Sequence, residues 1–357
     1  MHPLGAPPVV DLQGVHRRFG TNPALADLSL TVPLGTITVL LGPNGAGKTT
    51  AIRMITGALA PDQGQVRVFG QDPAVEGEDI RRRCGVVSAK PALYDRLSGH
   101  DNLAYSAELY GLGRGAATQA RIQSAAARFG IDHALDQQVG GYSTGMKTRL
   151  ALARSMLHEP DLLLFDEPTS GLDPESSHAV LELIREMTAT GATVIMCTHL
   201  LLEAEGLADQ VVVLDHGSDL VSGTPDELSK RFWPAAVVRF AGEDRAALAA
   251  ALRELPGIGS VDVPEDPEAV LTASMSDHAM VPDLVLALAA REIRLTRVEP
   301  FVPTLEDLYF AVRGKPPVTP GMVPRDETPL YDGSLSSGNR LGRRFGDPFA
   351  ANPEGRR

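Results

Sequence analysis

The stretch "TITVLLGPNGAGKTTAIRMITGAL" (Thr36–Leu59) narrows the fold more than any other. "TITVLL" reads as a strand and "TAIRMITGAL" as a helix, and the glycine-rich turn between them is the setting that a phosphate loop requires. Gly42, Gly45 and Gly47 allow the backbone to turn with its N–H groups inward, and the new helix offers its positive end to an anion. The loop residues Gly42, Pro43, Asn44, Gly45, Ala46, Gly47, Lys48, Thr49 and Thr50 are therefore expected to wrap a polyphosphate. Lys48 supplies a point charge for the outer phosphates, and the Thr49 hydroxyl is suited to Mg²⁺. A glycine-rich turn that binds nothing would not need this strand-to-helix context.

"LLLFDEPTSGLDP" reads as the second half of the same site. Its apolar residues form a buried strand, and Asp166 at the strand end is placed to hold the Mg²⁺ shell. Glu167 follows directly, where a carboxylate can orient or deprotonate an attacking water. His199 closes the strand "ATVIMCTH"; a histidine at the carboxyl end of a strand in an α/β domain faces the crevice where ligands bind, and it is expected to sense the terminal phosphate. Taken singly, the acidic pair reads as solvated and the histidine as a surface residue. Their company with the loop changes both readings.

The rest of the chain shows how these pieces are housed. Residues 9–230 alternate short apolar strands with helical periods, as in an α/β domain with a largely parallel sheet. Within them, 91–158 carries helical spacing and no strong strand, an all-helical insertion. Residues 232–313 follow the order βαββαβ, the ferredoxin-like arrangement, with a loose set of accessory elements as the alternative. From Gly314 to the last residue, glycine and proline make up 14 of 44 positions, a composition too poor in apolar residues to pack and typical of a disordered tail. The expected class is α/β, a P-loop NTPase core with a helical insertion, a small α+β domain and the tail.

Composition removes several functions. The net charge of -12 argues against nucleic acid as a partner. Cys84 and Cys197 are far apart in apolar runs, so neither a disulfide framework nor a zinc site is suggested. The longest charge-free stretch, "LSLTVPLGTITVLLGPNGAG", is broken by Pro33, Gly35 and Pro43 into strand, turn and strand, so it is not read as a membrane span. The N-terminus lacks the basic and apolar regions of a signal peptide.

A second glycine-containing turn, "GGYSTGMKTRLALARSM" (Gly140–Met156), decides among the phosphate-loop enzymes. "YSTGMKTRL" resembles the signature of ABC transporter ATP-binding subunits, usually written LSGGQ, in a form common among exporters. The phosphate loop, "DEPTSGLDP" and "THLLLEAE" match that family in order and spacing. The resemblance implies ATP and Mg²⁺ as ligands. It also implies that Ser143, Gly145 and the helix beginning there close over ATP held by a second cassette, with Asp173 lining the shared boundary. Phe19 of "RRFG" matches the aromatic that stacks on adenine, a core phenylalanine being the alternative.

The implied function is an ATPase that drives export of a small, hydrophobic molecule through a separately encoded transmembrane permease, at the cytoplasmic face of the membrane. One position departs from the family. Ala89 of "CGVVSAKPALYDRLSG" stands where a glutamine would ligate Mg²⁺ and sense the phosphate, so a low-turnover or regulatory ATPase is the second reading. "VEPFVPTLEDLYFAVRG" is similar to the closing segment of drug-exporting subunits. A DNA-organising ATPase would need sustained heptads between Lys48 and Ser143, a translation-associated one two cassettes, and a GTPase an Asn-Lys-x-Asp reader. None of these occurs.

Overall fold

The computed structural model describes residues 7–189, 191–264, 266 and 270–314; the expected disordered tail falls beyond them. The chain opens with β1 (Val10–Phe19), β2 (Asn22–Val32), β3 (Ile37–Leu41), α1 (Lys48–Ile55), β4 (Gln63–Val68), α2 (Gly77–Arg82) and β5 (Cys84–Val87). Three helices follow: α3 (Gly99–Leu109), α4 (Ala116–Arg128) and α5 (Thr144–Met156). Strands then return as β6 (Leu162–Asp166), α6 (Pro174–Ala189), β7 (Thr193–Thr198), α7 (Leu201–Ala204), β8 (Gln210–Asp215), β9 (Ser218–Gly223) and α8 (Pro225–Phe232).

Six strands form one sheet in the order β5-β6-β7-β3-β8-β9, parallel except for β9. Every residue of β3, β6 and β7 is buried, which is why these strands read as unbroken apolar runs: both faces of a parallel sheet are covered. The alternation divides them between two cores. Val39, Leu41, Leu163, Phe165, Val194 and Met196 pack with residues of α3 to α6, while Leu40, Leu162, Leu164, Ile195 and Cys197 pack with α1 and with β1, β2 and β4. Those last three strands are a separate antiparallel sheet in the order β2-β1-β4. The largely parallel sheet expected from sequence is present, and this second, antiparallel sheet is added to it. In β1 and β2 buried residues alternate with exposed or half-buried ones such as Asp11, Arg17 and Arg18, and this dilutes the apolar signal.

Beyond α8 the elements are β10 (Ala236–Gly242), α9 (Arg245–Glu254), β11 (Ile258–Asp262), β12 (Leu271–Met275), α10 (Val281–Ala290), β13 (Leu295–Phe301) and α11 (Leu305–Val312). The four strands make an antiparallel sheet in the order β11-β12-β10-β13. Its inward positions, among them Val238, Phe240, Leu271 and Ala273, meet Leu248, Leu252, Leu284 and Leu288 of the two helices in a core of their own. Helix α11 does not join that core. Its Leu305 and Leu308 are buried in the core shared with α3 to α6.

The β8–β9 turn supports the phosphate loop from behind. His216 and Gly217 have φ of 48° and 85°, the left-handed pair that a two-residue hairpin of this twist demands. The Gly217 N–H donates to Ala46 O at 3.0 Å, and Gly217 O accepts from Ala26 N–H at 2.8 Å. A Cβ on Gly217 would lie 2.8 Å from Ala24 O and from Leu25 Cα. Gly217→Ala should therefore cost about 2 kcal/mol or more, against about 1 kcal/mol for a left-handed glycine with room around it. Gly111, with φ +76° and nothing within 4 Å, is that comparison; denaturant titration of Gly217→Ala and Gly111→Ala measures both, and equal costs would mean that the close approach is not what selects glycine.

Candidate active site

Register brings three strand ends to one level. Leu41 lies opposite Thr198, and Asp166 opposite Cys197. Gly42, Glu167 and His199 thus leave the sheet side by side at its carboxyl edge, where open α/β sheets bind ligands.

The loop from Gly42 to Gly47 is shaped by contact. A Cβ on Gly42 would lie 2.5 Å from Leu214 O, and one on Gly47, whose φ is +107°, 2.6 Å from Leu25 Cδ2. Ala46 N–H donates to Pro43 O at 3.1 Å, while Asn44 and Gly45 face solvent. Lys48 opens α1 and is 6% exposed. Its ammonium donates to Gly42 O at 2.6 Å and Pro43 O at 3.4 Å, and stands 3.4 Å from Glu167 Oε1. A buried ammonium is tolerated only when paired and hydrogen-bonded. Here backbone oxygens and one carboxylate supply those partners. Thr49 sits one residue on, exposed, with Thr50 half-buried behind it.

The Thr49 hydroxyl donates to Asp166 Oδ2 at 2.7 Å. Glu167 takes φ of 55°, a left-handed conformation that costs a non-glycine residue free energy. Its own N–H, donating to Cys197 O at 2.9 Å, fixes the turn. Its Oε2 is 2.6 Å from His199 Nδ1. Lys48, Thr49, Asp166, Glu167 and His199 are thereby one connected group.

One carboxylate, Glu167, faces the buried ammonium and a second, Asp166, is met only by the Thr49 hydroxyl, and a polyphosphate would add further negative charge. A divalent cation is the natural complement, and the hydroxyl and carboxylate oxygens of Thr49 and Asp166 are the hard donors that Mg²⁺ takes alongside phosphate and water. The residues fit that ion as part of a shared shell. Among the described residues no group of three or more His, Cys, Asp or Glu side chains forms a self-sufficient metal site.

A second group gathers at the start of α5. Ser143 is its exposed N-cap, and the hydroxyl accepts from Met146 N–H at 3.2 Å. A Cβ on Gly145 would lie 3.5 Å from Ser176 Oγ. Ser176 donates from its N–H and its hydroxyl to Asp173, at 2.9 and 2.7 Å, and these bonds hold the exposed carboxyl below the usual aspartate range. Phe19, at the end of β1, is 48% exposed with the Arg17 guanidinium 5.4 Å from its ring centroid, so the core-phenylalanine alternative is corrected. Ala89 lies just beyond β5, exposed, and the neighbouring Ser88 hydroxyl is turned onto Lys90 O.

One participant was not singled out from sequence. Glu203 of "THLLLEAE" accepts from Thr169 Oγ1 at 2.6 Å and Thr198 Oγ1 at 3.2 Å, stitching the loop after Asp166 to the strand before His199. Its signal was present, a glutamate four positions beyond the strand-end histidine on a helical stretch, but no single-residue chemistry marks a carboxylate that works through two hydroxyls.

Comparison with known proteins finds a matching family, relatives and solved structures. The family described as "ABC transporter" matches residues 25–170. The chain is 34% identical over 312 residues to the daunorubicin/doxorubicin resistance ATP-binding protein DrrA of Streptomyces peucetius, covering 86% of this chain and 93% of that one. It is 33% identical to the Nod factor export ATP-binding protein I of Ralstonia nicotianae, covering 82% and 97%. A solved structure titled as the ATP binding subunit of an ABC transporter superposes with a TM-score of 0.58 at 32% identity, over 63% of this chain and 93% of that one.

The site also fixes the state of the thiols. Burial pushes Cys84 up to about 12 and Cys197, beside Asp166, well above the ordinary thiol range. Both should stay protonated and unreactive. Iodoacetamide at mildly alkaline pH is expected to leave the folded chain unmodified and to alkylate both cysteines in urea, as mass spectrometry would record; alkylation of Cys197 in the folded chain would mean that β7 opens.

Proposed function

The chain belongs to the ABC transporter family, as an ATP-binding subunit whose hydrolysis of ATP is coupled to transport, and on that premise we propose that it pairs head to tail with a second cassette and powers export through a separately encoded permease. The observation that carries the reading is the convergence of Lys48, Thr49, Asp166, Glu167 and His199 at the start of α1. Lys48 exchanges its carbonyl partners for the outer phosphate oxygens. Thr49 and Asp166 hold Mg²⁺, which when bound neutralises the phosphates. Glu167 takes the proton of the attacking water, and His199, oriented through Nδ1 by Glu167, is left with Nε2 for the terminal phosphate. Phe19, exposed at the end of β1, stacks on the base.

Ser143 and Gly145 present the amino end of α5 to solvent, an anion-binding end with no anion of its own chain assigned to it. The head-to-tail pair gives it one: the ATP of the second cassette, with Asp173 at the seam. Loss of the terminal phosphate then removes the charge joining the two faces, and the pair reopens. Between α3, α5 and β5 a groove of about 220 Å³ is lined by Val86, Ala92, Tyr94, Tyr105, Leu109, Tyr110 and Arg154. Tyr94, Tyr105 and Leu109 are 52%, 44% and 69% exposed, and the segment carrying Ala89 leads from the site to this rim. It is the face assigned to the permease, at the cytoplasmic side of the membrane. No helix among the described residues is long and apolar enough to cross a membrane.

Export is favoured over import because the likeness to the drug-resistance and Nod-factor relatives runs over 312 residues in each case, longer than the cassette. The cargo class is a small, largely apolar molecule. A second reading, a nucleotide-binding regulator with little turnover, rests on Ala89, which has no ligand atom.

Glu167→Gln should lower the ATPase rate about a hundredfold or more while ATP affinity stays within a fewfold; a rate that persists would remove Glu167 from its role. Ala89→Gln should raise the hydrolysis rate of the chain with its permease. An unchanged rate would show that coupling here does without the amide.

A further inference from the structure

Helix α11 lies after the four-stranded unit in sequence, yet it packs on the cassette and both its ends are tied to loops of the nucleotide site. At its start the Leu305 N–H donates to Glu205 Oε2 at 2.8 Å. Glu205 closes α7, the short helix that follows His199 and carries Glu203 with its bonds to Thr169 and Thr198. At its end the Arg313 guanidinium stands 3.0 Å from Asp215 Oδ2, the two side chains only 17% and 16% exposed. Asp215 ends β8 and leads into the turn whose Gly217 N–H holds Ala46 O. The carbonyl just before it, Leu214 O, is the one that only glycine at position 42 can approach.

The helix between these two ties is not free to adjust. Leu305 and Leu308 are buried in the cassette core, and Arg313 is bonded to the Tyr309 hydroxyl with its guanidinium 5.3 Å from that ring's centroid. A charge pair so little exposed holds only while its geometry holds, because a small displacement leaves a desolvated charge without its partner. The turn that holds Ala46 and the helix that follows His199 are therefore spaced by one rigid element.

We propose that α11 is a positioning brace for ATP turnover, with Arg313 acting through Asp215 on the phosphate loop and the Leu305 N–H acting through Glu205 on the His199 loop. Arg313 is bonded to Asp215 and Tyr309, so it is a positioning residue. Displacing α11 changes the affinity of the site, and by reciprocity nucleotide binding tightens α11. The brace rests on the ATPase reading and adds to it an entry point for control from the C-terminal side.

The test uses the full chain with Mg²⁺ and a fluorescent ATP analogue. Arg313→Met keeps the aliphatic stem and removes the charge; Arg313→Lys keeps the charge. Arg291→Met removes an ion pair of the same length but greater exposure, Arg291–Glu254 at 3.0 Å with side chains 39% and 71% exposed, far from the site in sequence and confined to the four-stranded unit. Arg313→Met is expected to weaken analogue binding about fivefold or more, Arg313→Lys to recover to within about twofold, and Arg291→Met to leave affinity unchanged. Hydrogen exchange of α11 should slow on nucleotide binding in the wild type and not in Arg313→Met. Should Arg313→Met fail to fold, Asp215→Asn is read in the same way. Analogue affinity that stays at the wild-type level in both Arg313→Met and Asp215→Asn, or that falls equally in Arg291→Met, overturns the brace alone. A wild-type chain that binds no analogue overturns the ATPase reading and the brace with it.

Discussion

A buried ammonium organises this molecule. Lys48 sits 6% exposed among two backbone carbonyls and the Glu167 carboxylate. Stranding such a charge without partners would cost several kcal/mol. Its surroundings are accordingly over-determined. Gly42 and Gly47 are pressed against Leu214 and Leu25 so closely that no side chain fits, and the β8–β9 turn holds Ala46 from behind. Glu167 bears a left-handed backbone so that its carboxylate lies between Lys48 and His199. A polyphosphate is the ligand that such a cation, set at the start of a helix, is built to receive.

Most of this was legible in the sequence because it is local. The phosphate loop, the acidic strand end and the strand-end histidine each occupy consecutive residues, and their buried strands announce themselves as apolar runs. The βαββαβ order of the C-terminal region was readable for the same reason, from alternation and helical spacing. Less legible was whatever depends on pairing across the chain. The β2-β1-β4 sheet hides behind charged outward positions such as Arg17 and Arg18. Glu203 and Asp215 act through partners 34 and 98 positions away, Thr169 and Arg313, distances that no periodicity encodes.

The phosphate loop and the start of α5 are two helix ends on one chain, and the buried ammonium and the Glu167–His199 pair stand at the first. Ser143 has a capping bond to Met146 and otherwise faces solvent. On the proposed reading one chain carries a complete catalytic half and an idle complementary half. Two chains related head to tail would use both halves twice, with ATP as the joint. In such a pair charge would make the joint reversible: phosphates would draw both helix ends together, and their loss would leave nothing between the faces.

The sharing of ATP between chains is the central claim, and sedimentation of a hydrolysis-deficient chain tests it most directly. With ATP and Mg²⁺ the species should have twice the mass of the chain and hold two nucleotides, and placing an arginine at Ser143 should return it to a single chain that still holds one. A nucleotide-bound chain that stays monomeric at every concentration, or a dimer indifferent to Ser143, would contradict the account.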